Sequence, residues 1–170
     1  MKPINWRLLA RHVLAIPCLL LGARQLQAIR TADIVQAYQE HGMQGLRNMP
    51  HQYTLEEMTF KLQSEPLYAG FVAMMLGCLL SALVVWRQRE SFLIPLLLLA
   101  AAFLSSRTHY YKSEVVRTGL TLLRWPLESW PLAARLAVVG GSLVTVGVLL
   151  LLVPPRQRVV VEAGVLDPFT

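Results

Sequence analysis

Long stretches without a charged residue set the pattern from which the fold is predicted. The run Leu136–Val153 has eighteen such residues and is followed by two prolines. As a helix it would extend about 27 Å, close to the ~30 Å hydrocarbon core of a bilayer. A second run, Leu67–Trp86, has twenty uncharged residues with aromatic side chains near both ends, where they favour the membrane interface. Both runs are therefore predicted to span a membrane.

Two further segments are shorter or interrupted. The uncharged stretch 91–106 follows the second span after four residues, which predicts an antiparallel hairpin. Near the amino terminus, Arg11 and Arg24 leave twelve residues between them, or about 18 Å of helix. A span over about 8–29 is still predicted, because both arginine side chains can extend to the headgroups. A cleavable signal peptide is the alternative for this segment, since basic residues precede it.

Together these segments predict an all-α integral membrane protein. Its predicted architecture is a four-helix transmembrane bundle with a short-helical outer loop and an interfacial amphipathic helix before the fourth span. The composition agrees, with 55% hydrophobic residues, 15% charged residues and a mean hydropathy of +0.47. The predicted spans are about 8–29, 67–86, 91–108 and 133–153, in a single domain over 1–155 that is followed by a cytoplasmic tail over 156–170.

The connection between the first two spans is predicted to fold into short helices. Thr54 and Glu57 have the spacing of a capping box, which predicts a helix start. Ser64 is predicted to cap the second span. The first helix is predicted to run beyond the membrane and to stop near Gly42 or Gly45.

The segment before the fourth span has the periodicity of an amphipathic helix. Polar residues recur at steps of three and four, opposite an apolar stripe, which predicts a helix lying flat at the interface. Packing of this stripe on the outer loop is the alternative. The stripe consists of Val116, Leu120, Leu123 and Leu127.

The charge distribution predicts an orientation. The chain has 16 lysines and arginines against 10 acidic residues, for a net charge of +6. With four spans, most basic residues near span ends fall on the side of both termini, which is then cytoplasmic. We therefore predict residence in a bacterial cytoplasmic (inner) membrane. Since these charges are scattered and not clustered, the bilayer and not nucleic acid is the expected partner.

Small residues predict close packing of helices. Such residues recur every fourth position along the second span, and glycines are frequent in the fourth. Packing within the chain is favoured, and association with another membrane subunit stays open. The residues are Ala69, Ala73, Gly77, Ser81, Gly140, Gly141 and Gly147.

Few residues suggest chemistry. Cys18 and Cys78 should lie at similar depth and could meet, but cysteines isolated among leucines are typical of apolar packing. His12 is expected near enough to the interface to be hydrated. The histidines of the outer connections lack the spacing of metal ligands. No catalytic residue, metal site or cofactor is predicted.

Two functions remain open from the sequence. The first is a non-catalytic accessory or assembly subunit of a membrane complex, which would have partner subunits. The second is a membrane enzyme or carrier that binds a lipid or other hydrophobic anionic molecule at the outer leaflet. The residues predicted to hold its headgroup are Arg107, His109, Tyr110, Lys112, Arg117 and Arg124.

Overall fold

The computed structural model describes residues 3–50, 53–108 and 113–153, and every regular element in these ranges is a helix. This confirms the all-α prediction, whereas the predicted tail lies outside the described residues. The α-helices are α1 (Trp6–Gln27), α2 (Ala32–Arg47), α3 (Leu55–Thr59), α4 (Glu65–Arg87), α5 (Leu93–Thr108), α6 (Glu114–Arg124) and α7 (Leu132–Leu152). Short 3₁₀ segments, Ala28–Thr31 and Trp125–Leu127, follow α1 and α6, and a π-helical segment, Phe60–Ser64, joins α3 to α4.

Three stretches of helix are long and apolar enough to cross a membrane. They are the stretch Trp6–Arg47, which contains α1, the stretch Glu56–Arg87, which contains α4, and α7. The third predicted span, α5, has 16 residues and is therefore about 24 Å long, shorter than the hydrocarbon core. The structure thus provides three candidate spans and one shorter apolar helix.

The helical core is built around α1, which packs along both α4 and α7, while α5 packs mainly on α4. The near end of the core is defined as the end at which α1 begins and at which α4 and α7 terminate. The opposite end is called the far end. Toward α4 and α5, α1 buries Leu8, Ile16 and Leu20. Toward α7 it buries Ala15 and Leu19. The least apolar of the predicted spans is therefore the central helix.

Glycines allow the closest approach between α1 and its neighbours. A Cβ atom on Gly22 would lie 2.9 Å from the carbonyl oxygen of Gly140, and one on Gly140 would lie 3.0 Å from that of Gly22. On the other side of α1, a Cβ on Gly70 would lie 2.9 Å from the carbonyl oxygen of Leu20. Side chains at these positions would force the backbones apart.

The predicted small residues occupy different environments. Gly77, Ser81, Gly140 and Gly147 are buried, and Ala69 and Ala73 are half-buried. A Cβ on Gly141 would meet nothing within 4 Å, so this glycine faces open space.

The connection between α1 and α4 is more continuous than predicted. The capping box is confirmed: Glu57 N–H donates to Thr54 Oγ1 at 3.2 Å, and Thr54 N–H donates to Glu57 Oε2 at 2.9 Å. The prediction that Ser64 caps the second span is wrong. Ser64 has helical backbone angles, and the Glu65 N–H already donates to the Phe60 carbonyl, so no helix begins there. Gly42 breaks α2 with a φ of 58°, but helix resumes and continues to Arg47.

Candidate functional site

A buried polar pair joins α1 to α4 in the near-end half of the core. His12 Nδ1 lies 2.7 Å from Ser81 Oγ, and both side chains are fully buried. The expectation that His12 is hydrated is therefore wrong, because α4 and α7 cover the side of α1 that carries it. The other ring nitrogen, Nε2, is buried and has no hydrogen-bond partner within the described ranges.

Arg11 binds the end of α7 instead of only extending to the headgroups. Its guanidinium donates to the carbonyl oxygens of Leu150, at 3.1 Å, and Val153. The last carbonyl groups of a helix have no partner within the helix and carry a partial negative charge. Arg11 therefore caps the carboxyl end of α7 and links it to the start of α1.

Other polar contacts tie α1 to both ends of α4. At the near end, Asn5 Nδ2 donates to Glu90 Oε1 at 3.2 Å. At the far end, Gln27 Nε2 donates to Glu65 Oε1 at 2.6 Å, and Arg30 Nη1 lies 3.6 Å from the same oxygen. These contacts fix the position of α1 along α4.

Arg124, a predicted headgroup residue, lies where α6, α7 and α1 meet at the far end. Its side chain is half-buried, and Nη2 donates to Oε1 of the buried Gln25 on α1. Burial, and next the nearby charge of Arg135, hold the pKa of Arg124 below its usual value. Sequence reasoning missed Gln25 and Arg135. Their only signal in the sequence is position, because a polar residue at the end of an apolar run is also typical of the boundary of a span.

The remaining predicted headgroup residues are not gathered with Arg124 in the part of the chain that the structure describes. Arg117 is exposed on α6, seven residues and about 10 Å earlier along the helix. Arg107 belongs to the last turn of α5, and its side chain lies outside the described atoms. His109, Tyr110 and Lys112 also lie outside the described residues.

The apolar side of α6 is only partly covered by the protein. Val116 and Leu120 are half-buried, but Val115, Leu122 and Leu123 are 82%, 64% and 52% exposed. Packing on the outer loop therefore does not account for the whole apolar side. The exposed part has the character of a surface that meets lipid.

An apolar groove of about 710 Å³ lies between α4 and α5 and is open along one side. The hairpin turn joins the two helices at the near end, and the groove extends into their far-end halves. Among the described side chains, those that line it are uncharged. The lining residues used below are Phe71, Met74, Met75, Leu96, Ala100 and Phe103.

The two cysteines are free thiols. Cys18 is half-buried on α1 and Cys78 is buried on α4, and Cys78 belongs to the apolar cluster around Leu20 and Met74. Their surroundings are those of packing residues.

Comparison with known protein families, with curated proteins and with solved structures gave no match.

Proposed function

We propose that this chain is a small polytopic protein of a bacterial cytoplasmic membrane that binds a lipid or another hydrophobic molecule in the groove between α4 and α5. In this proposal α1, α4, α5 and α7 form a four-helix transmembrane bundle, with both termini in the cytoplasm. The short helix α5 spans a locally thinner layer or is flanked by polar residues that extend to the headgroups.

The groove is the observation that carries the proposal. Its volume of about 710 Å³ falls within the roughly 300–1,000 Å³ typical of sites for small molecules. Its wall is apolar, and it opens on the side where exposed leucines of α5 would meet lipid tails. A groove of this kind suits an apolar chain lying parallel to the helices.

The far end of the groove supplies positions suited to a headgroup. Tyr68 is 64% exposed and precedes Phe71 by three residues, so both lie on one side of α4. Position 107 follows Phe103 by one turn of α5. A phenol at this level favours a ligand with a polar end near the membrane interface.

Filling the groove tests this function. The full-length protein is purified in mild detergent, and the hydrophobic molecules bound to it are extracted and quantified by mass spectrometry. Ala100→Trp places an indole in the groove and should greatly reduce the amount bound. Leu97→Trp, on an exposed part of α5 that does not line the groove, is the matched control. Equal binding by both variants would refute the proposal.

An accessory or assembly subunit is the second candidate, because the same open groove could accept a helix of another membrane protein. Such a partner should co-purify with the wild-type chain and with Leu97→Trp but not with Ala100→Trp. If no specific chain co-purifies under conditions that keep the protein folded, this candidate fails.

The proposed orientation has its own test. Ser113 is an exposed residue just before α6 and, with four spans, lies outside the cytoplasm. A Ser113→Cys variant in intact cells should react with a membrane-impermeant thiol reagent added from outside. Labelling only after the cytoplasm is opened would overturn the four-span topology.

A further inference from the structure

The far end of the core holds two arginines whose charges are not balanced by any carboxylate of the described residues. Arg124 Nε and Arg135 Nε are both buried and have no acceptor in the described part of the chain. No carboxylate there lies within ion-pair distance of either guanidinium, and the acceptor that Arg124 does have is the neutral amide oxygen of Gln25. Gln25 is only 6% exposed, so this contact is also removed from water.

Two half-buried guanidinium groups repel each other more strongly than they would in water, because the surrounding dielectric constant is lower. The lowered pKa of Arg124 has this repulsion as its second cause, after burial. Such an arrangement is stable when an anion lies near both groups.

The start of α7 adds to the positive potential. Pro131 occupies the N-cap position and offers no side-chain acceptor, and the first turn of α7 contains no acidic residue. The first backbone N–H groups of a helix have no partner within the helix and carry a partial positive charge. Arg135 lies within this first turn or just beyond it, so helix and side chain attract the same anion.

We propose that Arg124 and Arg135, together with the start of α7, form a binding site for a phosphate-type anion. Planar guanidinium groups present paired donors that match phosphate oxygens. Gln25 acts as a positioning residue, since its amide oxygen holds Arg124 against α1.

The surroundings of the site indicate that the phosphate belongs to a lipid headgroup. Trp125 directly follows Arg124 and is 71% exposed, and Trp130 is 49% exposed. Exposed tryptophans favour the headgroup level, and exposed apolar residues lie on α6, the helix that carries Arg124. This inference rests on the proposed membrane location but not on ligand binding in the α4–α5 groove.

Thermal unfolding of the full-length protein in neutral detergent tests the site. Melting temperatures are compared after addition of phosphatidylglycerol, of phosphatidylcholine or of inorganic phosphate. A ligand that binds only the folded state raises the melting temperature. We expect phosphatidylglycerol to raise it more than phosphatidylcholine does. Arg124→Gln and Arg135→Gln should remove this difference. Arg117→Gln, an equal charge change on the same helix as Arg124, should keep it.

The stability of Arg135→Gln in the absence of an anion distinguishes anion binding from a purely structural role. Without an anion, Arg135→Gln should be at least as stable as the wild type, because the substitution relieves repulsion between two guanidinium groups. A structural role would instead lower the melting temperature in every condition. If Arg124→Gln does not fold, Arg124→Lys keeps the charge and should retain part of the rise caused by phosphatidylglycerol.

The remaining outcomes are also decisive. An equal rise with inorganic phosphate, lost in both arginine variants, would support the site and identify a soluble anion as its ligand. The site is refuted if neither phosphatidylglycerol nor phosphate raises the melting temperature through Arg124 and Arg135. It is also refuted if Arg117→Gln reduces this rise as much as Arg124→Gln does. Ala100→Trp should keep the rise, so failure of groove binding and failure of this site are distinguishable.

Discussion

Ser81 Oγ on α4 lies 2.7 Å from Nδ1 of His12 on α1, and neither side chain is exposed. The buried side chains nearest to the pair along these two helices are apolar, among them Leu8, Ala15 and Val85. A polar group without a partner is costly in such surroundings, so this hydrogen bond favours one register of α1 against α4. Arg11, which directly precedes His12, adds a second contact through its hydrogen bonds to the end of α7.

Ser81→Ala should destabilise the protein because it leaves His12 Nδ1 buried without a partner. Hydrogen bonds between membrane helices contribute about 0.6 kcal/mol on average, and an unsatisfied buried group costs roughly 1–3 kcal/mol. We therefore expect a loss of about 1 kcal/mol, measured by reversible unfolding in mixed micelles.

Ser142→Ala is the matched control, since Ser142 is exposed and donates only to the carbonyl oxygen of Val139 in its own helix. It should change stability little. A double-mutant cycle with His12→Leu isolates the pair energy. A coupling energy near zero would show that the two side chains do not stabilise each other.

Two adjacent glycines of α7 should respond oppositely to alanine. Gly140→Ala inserts a methyl group 3.0 Å from the Gly22 carbonyl oxygen and 2.9 Å from Leu26 Cγ, and should destabilise by about 1–3 kcal/mol. Gly141→Ala meets nothing within 4 Å and should be neutral or stabilising by up to about 1 kcal/mol. Unfolding of both variants in one detergent gives the comparison. Equal destabilisation would contradict the close crossing of α1 and α7.

How far the sequence predicts this fold depends on the range of the interactions involved. The long uncharged runs predict α4 and α7, and the Thr54–Glu57 spacing predicts the start of α3, because each pattern depends on neighbours along the chain. The central position of α1 was not predictable from its interrupted hydropathy. It depends on which faces of α4 and α7 offer glycines, and that is known only when the helices are packed.

In the candidate sites too, features set by neighbours along the chain are predictable and features set by packing are not. Arg124 was predicted because amphipathic periodicity marked α6, whereas Gln25 and Arg135 come from separate helices and become neighbours of Arg124 only in the fold. Burial of His12 depends likewise on Ser81, 69 residues later. The α4–α5 groove reflects the spacing between two helices, which no local pattern in the sequence encodes.

The start of α3 should loosen at acidic pH. Hydrogen bonds from the backbone N–H and side chain of Thr54 lower the pKa of the Glu57 carboxyl group. A carboxyl group whose pKa is lower in the folded state stabilises that state above its unfolded pKa of about 4.3, and this stabilisation is lost as pH falls through the folded pKa. Hydrogen exchange of the α3 amides should therefore show decreasing protection, relative to intrinsic exchange, as pH is lowered below about 4.

Glu57→Gln should make the protection of α3 nearly independent of pH, since a glutamine does not titrate. Glu56→Gln is the matched control, because Glu56 is exposed and precedes the residue that completes the capping box. It should leave the pH dependence in place. An unchanged profile in Glu57→Gln would exclude the capping box as its cause.

Arg11 should stabilise the last turn of α7 through its charge and its donors. Arg11→Gln shortens the side chain and removes the charge, so the carbonyl oxygens of Leu150 and Val153 lose a charged donor. Hydrogen bonds to charged groups contribute roughly 1.5–3 kcal/mol, and we expect a loss in the lower part of that range because the site is partly exposed. Hydrogen exchange should increase at the end of α7 but not at its start. Arg7→Gln, an equal charge change at an exposed position of α1, should leave both ends of α7 unaffected. If the two variants have the same effect, the contribution of Arg11 is general electrostatics and not capping of α7.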